Sequence, residues 1–214
     1  MTFTGKITKH YQGNSSFHDL LIRIRQIETL AVSDTSRILP TDLLKKVAEI
    51  FSTLNLKFAI AGGFAYAAHA VPRATEDIDI LIFTKDLNTV KKALDKEGFV
   101  HTDILEYQKP TRTIIKYEFK GRDLDILDYQ KYPDFVDFLL KTSITKTVSD
   151  LSYHYLGLEG LILTKLCSFR FKDKSDIVYL KDKNPDLDLI KQWCSYLHIM
   201  DRFSFMTEDH SKEK

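Results

Sequence analysis

Phe58-Ala59-Ile60-Ala61-Gly62-Gly63-Phe64-Ala65-Tyr66-Ala67-Ala68-His69, followed at residue 77 by Asp77-Ile78-Asp79-Ile80-Leu81-Ile82-Phe83, is the stretch that decides the fold. The first apolar run is short and stops at two glycines. The Ala-rich segment beyond them suits a helix, so the reading is strand, glycine turn, helix. The second run is rich in isoleucine and bounded by polar residues, hence another strand. Residues two apart on a strand share a face, so Asp77 and Asp79 project together, with Cα atoms about 6.6 Å apart at about 3.3 Å per residue. Two carboxylates that close raise each other's pKa, and a hard divalent ion relieves the repulsion by taking both as oxygen ligands. An isolated Asp-Ile-Asp would most simply face solvent. Its setting behind Gly62-Gly63 gives it meaning, because backbone N–H groups at a strand-to-helix turn form a cradle for phosphate.

Working outward, Thr111–Phe119 and Arg122–Asp128 read as two strands joined by Lys120-Gly121, the spacing of a hairpin. Alternation along the second places Asp123 and Asp125 on one face and Asp128 on the other. Asp125 lies deeper in the apolar run than Asp123 and is the candidate third carboxylate. If the strands are neighbours, three acids converge opposite the glycine turn and can hold two divalent ions that activate a hydroxyl. Upstream, residues 17–27 carry helical apolar recurrence. After Pro40, Thr41 is placed to cap a second helix with its stripe at Leu43, Leu44, Val47, Ile50 and Phe51. Further helices are expected over 86–97, 133–141, 158–169, 174–181 and 187–197. The fold class is therefore α/β (α+β): a mixed sheet flanked by helices, with N-terminal helices over 1–40, a core over 41–150 and a helical C-terminal part over 151–214.

Ala61-Gly62-Gly63, thirteen further residues, Asp77-Ile78-Asp79-Ile80 and the later Leu124-Asp125-Ile126-Leu127 together resemble the signature of the DNA polymerase beta-like nucleotidyltransferase superfamily. Arg73-Ala74-Thr75-Glu76-Asp77-Ile78-Asp79, with Leu158-Glu159-Gly160-Leu161-Ile162-Leu163-Thr164-Lys165-Leu166 and Arg170-Phe171-Lys172-Asp173-Lys174-Ser175-Asp176-Ile177, is similar to the minor nucleotidyltransferases that include AbiEii-type toxins. The resemblance spans roughly residues 41–181. It implies that Gly62 and Gly63 hold a nucleoside triphosphate such as ATP and that Asp77 and Asp79 bind magnesium, or manganese in its place. Asp125 would complete the metal site and help deprotonate the acceptor. Arg73 and Thr75, in the turn before the metal strand, would touch phosphates or acceptor, or else order the loop. Lys165, Arg170 and Lys172 would offer cations to the triphosphate. The acceptor implied by the toxin-like members is RNA, such as a tRNA 3′ end, with an antitoxin-like partner protein. Relatives in the superfamily that modify antibiotics or proteins leave those acceptors open, as does a non-catalytic binding module on the same fold.

Composition sets the outer bounds. The 214 residues are 43% hydrophobic and 12% aromatic, enough for a sizeable core, and 31 basic against 30 acidic residues leave no gross basic excess for coating nucleic acid. Cys167 and Cys194 are too few for a disulfide framework and are expected as buried thiols. No apolar run approaches the roughly 18 residues of a membrane span. Met1–Ser16 is polar without a signal-peptide core, so a soluble cytoplasmic protein is expected, its first dozen residues loose. Asp173 and Asp176 look like helix-start residues, His69 like a packed helix residue, and His101 and His154 show no metal-ligand spacing.

Overall fold

The computed structural model describes residues 17–31, 37–70, 75–148 and 151–208, so the expectations for the first dozen residues and for Arg73 lie outside the described residues. The helices are α1 Phe17–Ala31, α2 Pro40–Thr53, α3 Gly62–His69, α4 Leu87–Lys96, α5 Pro133–Lys141, α6 Leu158–Ser168, α7 Phe171–Lys181, α8 Leu187–Tyr196 and α9 Met200–Thr207. The strands are β1 Phe58–Ile60, β2 Asp77–Ile82, β3 Val100–Gln108, β4 Thr111–Phe119, β5 Arg122–Asp128, β6 Ile144–Val148 and β7 Leu151–Tyr155. They form one sheet in the order β3-β4-β5-β2-β1-β7-β6. The sheet is mixed: β2 runs parallel to β5 and β1 parallel to β7, while the remaining neighbours are antiparallel. The expected α/β class with flanking helices is what the chain adopts.

Local chemistry accounts for several boundaries. Pro40, not Thr41, opens α2; Leu39 is the N-cap and proline occupies the first turn, where its missing N–H costs nothing. Lys120 and Gly121 both have positive φ, 49° and 73°, the signature of a type I′ turn whose twist matches the β4–β5 hairpin. Helix α7 begins at Phe171, three residues before the expected start. The Asp173 carboxylate accepts from the Arg170 backbone N–H at its N-terminus, so Asp173 is indeed a helix-start residue. Strand β7 pairs antiparallel with β6 and parallel with β1, and so joins the sheet of the preceding residues.

Strand pairing sorts the two faces. Phe58 pairs with Ile82 and Ile60 with Ile80, and paired residues share a face. On that face the Phe58 ring packs edge-on against Phe51 of α2, at 5.3 Å between centroids. Ile78, Ile80, Leu124 and Ile126 are wholly buried. The opposite face of β2 carries Asp77 and Asp79, and there the helices leave a cleft. Cys167 and Cys194 are free and buried, as their composition suggested.

Candidate active site

Asp77 and Asp79 lie directly beside Asp123 and Asp125 in the parallel β2–β5 register. Asp77, Asp79 and Asp125 each offer a carboxylate oxygen within 4.8 Å of the other two, a group able to hold a metal ion. Three hard oxygen donors at that spacing suit magnesium or manganese, and sulfur or imidazole ligands are not part of the group. Asp125 is 7% exposed, whereas Asp123 on the same face is exposed. Asp128 lies on the other face, where the Thr84 hydroxyl donates to it.

The acids pay an electrostatic cost for this proximity. The Asp79 carboxyl is pushed up to about 7, first by burial and then by the charges of Asp77 and Asp125, with Arg170 and Lys165 opposing. Asp125 is also raised, by burial, although a hydrogen bond from Lys116 pulls the other way.

The glycine turn is built around these acids. Ala61 is the N-cap of α3 and its N–H donates to the Asp79 carbonyl at 2.8 Å. Gly62 has φ +54°, and a Cβ there would lie 1.7 Å from Asp79 Oδ2. A Cβ on Gly63 would lie 2.5 Å from Thr75 Oγ1. Both glycines are required by close approach, Gly62 also by its backbone angle. Thr75 is buried, and its hydroxyl donates to Asp77 Oδ1 at 3.1 Å, which fixes that carboxylate's orientation.

Ala61, Gly62, Gly63, Asp77, Asp79 and Asp125 line one cleft together with Lys165, Arg170 and Lys172 from the C-terminal helices. The three cations differ. Lys165 is buried and bound to Asp176, with Asp173 at 3.7 Å. Arg170 Nε donates to Asp173 Oδ2 at 2.8 Å while most of its side chain stays exposed. Lys172 is exposed at the rim. His69 donates from Nε2 to the Leu156 carbonyl at 2.8 Å and is lowered in pKa by burial, a packed helix residue.

Four residues of this region carry no signal in the motif. Lys116 faces Asp125 across the β4–β5 hairpin and donates to both its oxygens, at 2.7 and 3.0 Å. Arg112 is buried, donates to the Cys167 carbonyl at 2.8 Å and stacks its guanidinium 3.9 Å from the Tyr107 ring. Arg202 of α9 donates to the carbonyls of Leu166, Cys167 and Lys109. The two arginines satisfy carbonyls at the end of α6 and favour its negative pole, just before the left-handed residue Phe169 that leads to Arg170. The register signal for Lys116 was available in the hairpin, whereas Arg112, Tyr107 and Arg202 join through contacts distant along the chain.

No curated protein matches the chain. Among solved structures, it resembles an antigenic nucleotidyltransferase-like protein from Paracoccidioides brasiliensis at 22% identity, covering 64% of this chain and 71% of that one, with a TM-score of 0.42. It resembles ANT(2″)-Ia in complex with adenylyl-2″-tobramycin at 14% identity over 77% and 95% of the two chains, TM-score 0.46. It resembles the lincomycin-bound lincosamide antibiotic adenylyltransferase LnuA at 18% identity over 68% and 98%, TM-score 0.44. The segment bearing the glycine turn and all three acids, residues 43–130, matches the family described as aminoglycoside-2″-adenylyltransferase.

Proposed function

We propose that the protein is a metal-dependent nucleotidyltransferase that moves a nucleoside monophosphate from an NTP to a hydroxyl acceptor and releases pyrophosphate. The observation that carries this reading is the convergence of Asp77, Asp79 and Asp125 within 4.8 Å beside the glycine start of α3. Gly62 and Gly63 present backbone to the triphosphate at a helix N-terminus. Asp77, Asp79 and Asp125 hold the divalent ions, magnesium or manganese, which when bound neutralise the phosphates and polarise the α-phosphorus. Asp125 takes the acceptor's proton as its oxygen attacks in line. Thr75 orients Asp77, and Arg73, two residues earlier in the sequence, is assigned to the phosphates or the acceptor. Lys172 and Arg170 contact the triphosphate from the rim, and Lys165 sets the positive field behind them. Residues 41–150 thus carry the metal and phosphate groups, and α6, α7 and the turn between them line the cleft from the other side.

For the acceptor we favour RNA, such as a tRNA 3′ end, on the motifs over 73–79 and 158–177 that resemble toxin-type members; an antitoxin-like partner and a cytoplasmic setting accompany that reading. No helix among the described residues is long and apolar enough to cross a membrane. A small hydroxylated antibiotic is the second reading, favoured by the family match over residues 43–130. The test incubates the protein with magnesium and each α-labelled NTP in the presence of total RNA, aminoglycosides and lincosamides. Label on RNA supports the first acceptor and label on a drug the second. NTP binding with no label on RNA, drug or protein overturns the enzymatic reading in favour of a binding module.

A further inference from the structure

Phe171, the first residue of α7, is 92% exposed, whereas Val100, the next most exposed large apolar side chain among the described residues, is 62% exposed. It lies between Arg170 and Lys172, which both line the cleft, yet is not itself part of the lining. The ring thus stands outside the cleft, at its rim. Lys174, Ser175 and Val178 share its helical face, three, four and seven residues on. The acids of α7 are turned away from that face: Asp173 and Asp176 are buried against Arg170 and Lys165. Among the described residues no carboxylate pairs with Lys172 or Lys174. Lys174 instead lies 4.6 Å from the centre of the Phe169 ring and 5.6 Å from that of Phe205, and those two rings meet edge-on at 5.4 Å. On the neighbouring α9, Asp201 is held by Lys109, while Glu208 and Asp182 sit at the far end of α7, where the Glu208 carbonyl accepts from Lys181.

A ring in water beside ammonium groups, with the nearby carboxylates turned inward or paired, is matched by a strand that carries both bases and phosphates. Any base stacks on the ring, and the ammonium takes the adjoining phosphate. The patch is one ring wide, too narrow for the apolar core of a protein interface. A small acceptor seated inside the cleft has no use for a ring outside it. We propose that Phe171 and Lys174 form a docking surface for single-stranded nucleic acid, Phe171 stacking a base of the acceptor strand just behind the end that enters the cleft at Lys172. The inference rests on the nucleotidyltransferase reading above and deepens it by making the acceptor a nucleic acid strand. Phe171 is a specificity residue away from the reacting atoms, so it acts on KM for the acceptor and leaves kcat alone.

The test follows the fluorescence anisotropy of a short single-stranded RNA of mixed sequence, labelled at its 5′ end, as the intact protein is added. Binding of a non-hydrolysable ATP analogue with magnesium is measured separately. Phe171→Ala is expected to melt like the wild type and to weaken RNA binding about tenfold with analogue binding unchanged, and Phe171→Trp to keep the affinity. Lys174→Ala is expected to make the log–log salt dependence of RNA binding shallower by about 0.7. Equal RNA affinity in Phe171→Ala and wild type, or no RNA binding by a wild type that binds the analogue, overturns the inference and leaves the nucleotidyltransferase reading standing. Weakened analogue binding in Phe171→Ala with RNA affinity kept puts the ring against the NTP base and overturns it too. Poly-L-glutamate that binds with the same dependence on Phe171 overturns it in favour of an acidic partner protein. A wild type that binds neither RNA nor analogue defeats the reading above as well.

Discussion

Replacing Gly62 with alanine tests the site through two separable costs. The backbone cost comes from φ +54°, a conformation that disfavours a side chain by about 1–2 kcal/mol. At about 2–4 °C of melting temperature per kcal/mol in a chain of this size, that is a drop of roughly 2–8 °C. The second cost falls on Asp79. The new Cβ would lie 1.7 Å from Asp79 Oδ2 and 2.6 Å from its Cγ. Ordinary carbon contacts need about 3.5 Å, so the carboxylate must retreat by nearly 2 Å, out of its place beside Asp77 and Asp125. A misplacement of about 1 Å in a reacting group can cost about a hundredfold in rate, so Gly62→Ala should lose at least that factor in NMP transfer and bind Mn2+ more weakly. Gly98→Ala supplies the comparison. Gly98 has φ +83° but its added Cβ would meet only Phe119, at 4.0 Å, so it bears the strain without disturbing the acids. The assay pairs thermal melting with Mn2+ binding and labelled-nucleotide transfer. A Gly62→Ala protein that melts like Gly98→Ala yet keeps wild-type metal affinity and transfer would refute the reasoning.

Three further outcomes follow from the same geometry. Asp79 is raised to about 7, so the folded protein holds a proton there that the unfolded chain releases near 3.8; its contribution to stability is therefore lost as pH rises toward 7. Without metal, stability should fall between about pH 4 and pH 7, by about 1 kcal/mol per pH unit, and level off above that; Asp79→Asn or saturating Mg2+ should flatten that slope in thermal melts. Lys165→Met takes the ammonium from buried Asp176, while Asp173 keeps Arg170, and should cost about 3–5 kcal/mol in urea unfolding, whereas exposed Lys172→Ala should leave unfolding unchanged and weaken NTP binding. Arg202→Ala removes donors to three carbonyls and should lower stability by about 1.5–3 kcal/mol while raising KM for the nucleotide through the loosened turn into Arg170.

The β4–β5 hairpin beside the acids was legible because period-two alternation and a two-residue turn act locally, whereas the parallel pairing of β2 with β5 entered only as a condition. From Lys120-Gly121 alone, counting back along β4 pairs residue 119 with 122 and hence Lys116 with Asp125. The same arithmetic separated Asp125 from Asp128. Strand β3 escaped notice since Val100, Ile104 and their neighbours are exposed on both faces, which erases the alternation a half-buried strand displays. β6 and β7 also went unseen; β7 pairs locally with β6, but it joins the main sheet through β1, nearly a hundred residues earlier. The partners of Lys165 were equally hidden. Asp173 and Asp176 sit on the next helix, beyond a turn held left-handed at Phe169, so no spacing within one helix announces the pair.

The parallel pairing of β1 with β7 bears on how this protein can be dissected. Residues 43–130 contain the glycines and the acids, and would look like a minimal unit for expression. Cut there, β1 would keep β2 but lose its parallel neighbour β7, and the Ile60 carbonyl would lose the Leu156 N–H that donates to it at 2.9 Å. The strand that ends in the glycine turn would become a bare apolar margin inviting self-association. Fragment libraries and truncation screens should therefore keep the chain through α9, since the segment richest in motif is not a portable piece.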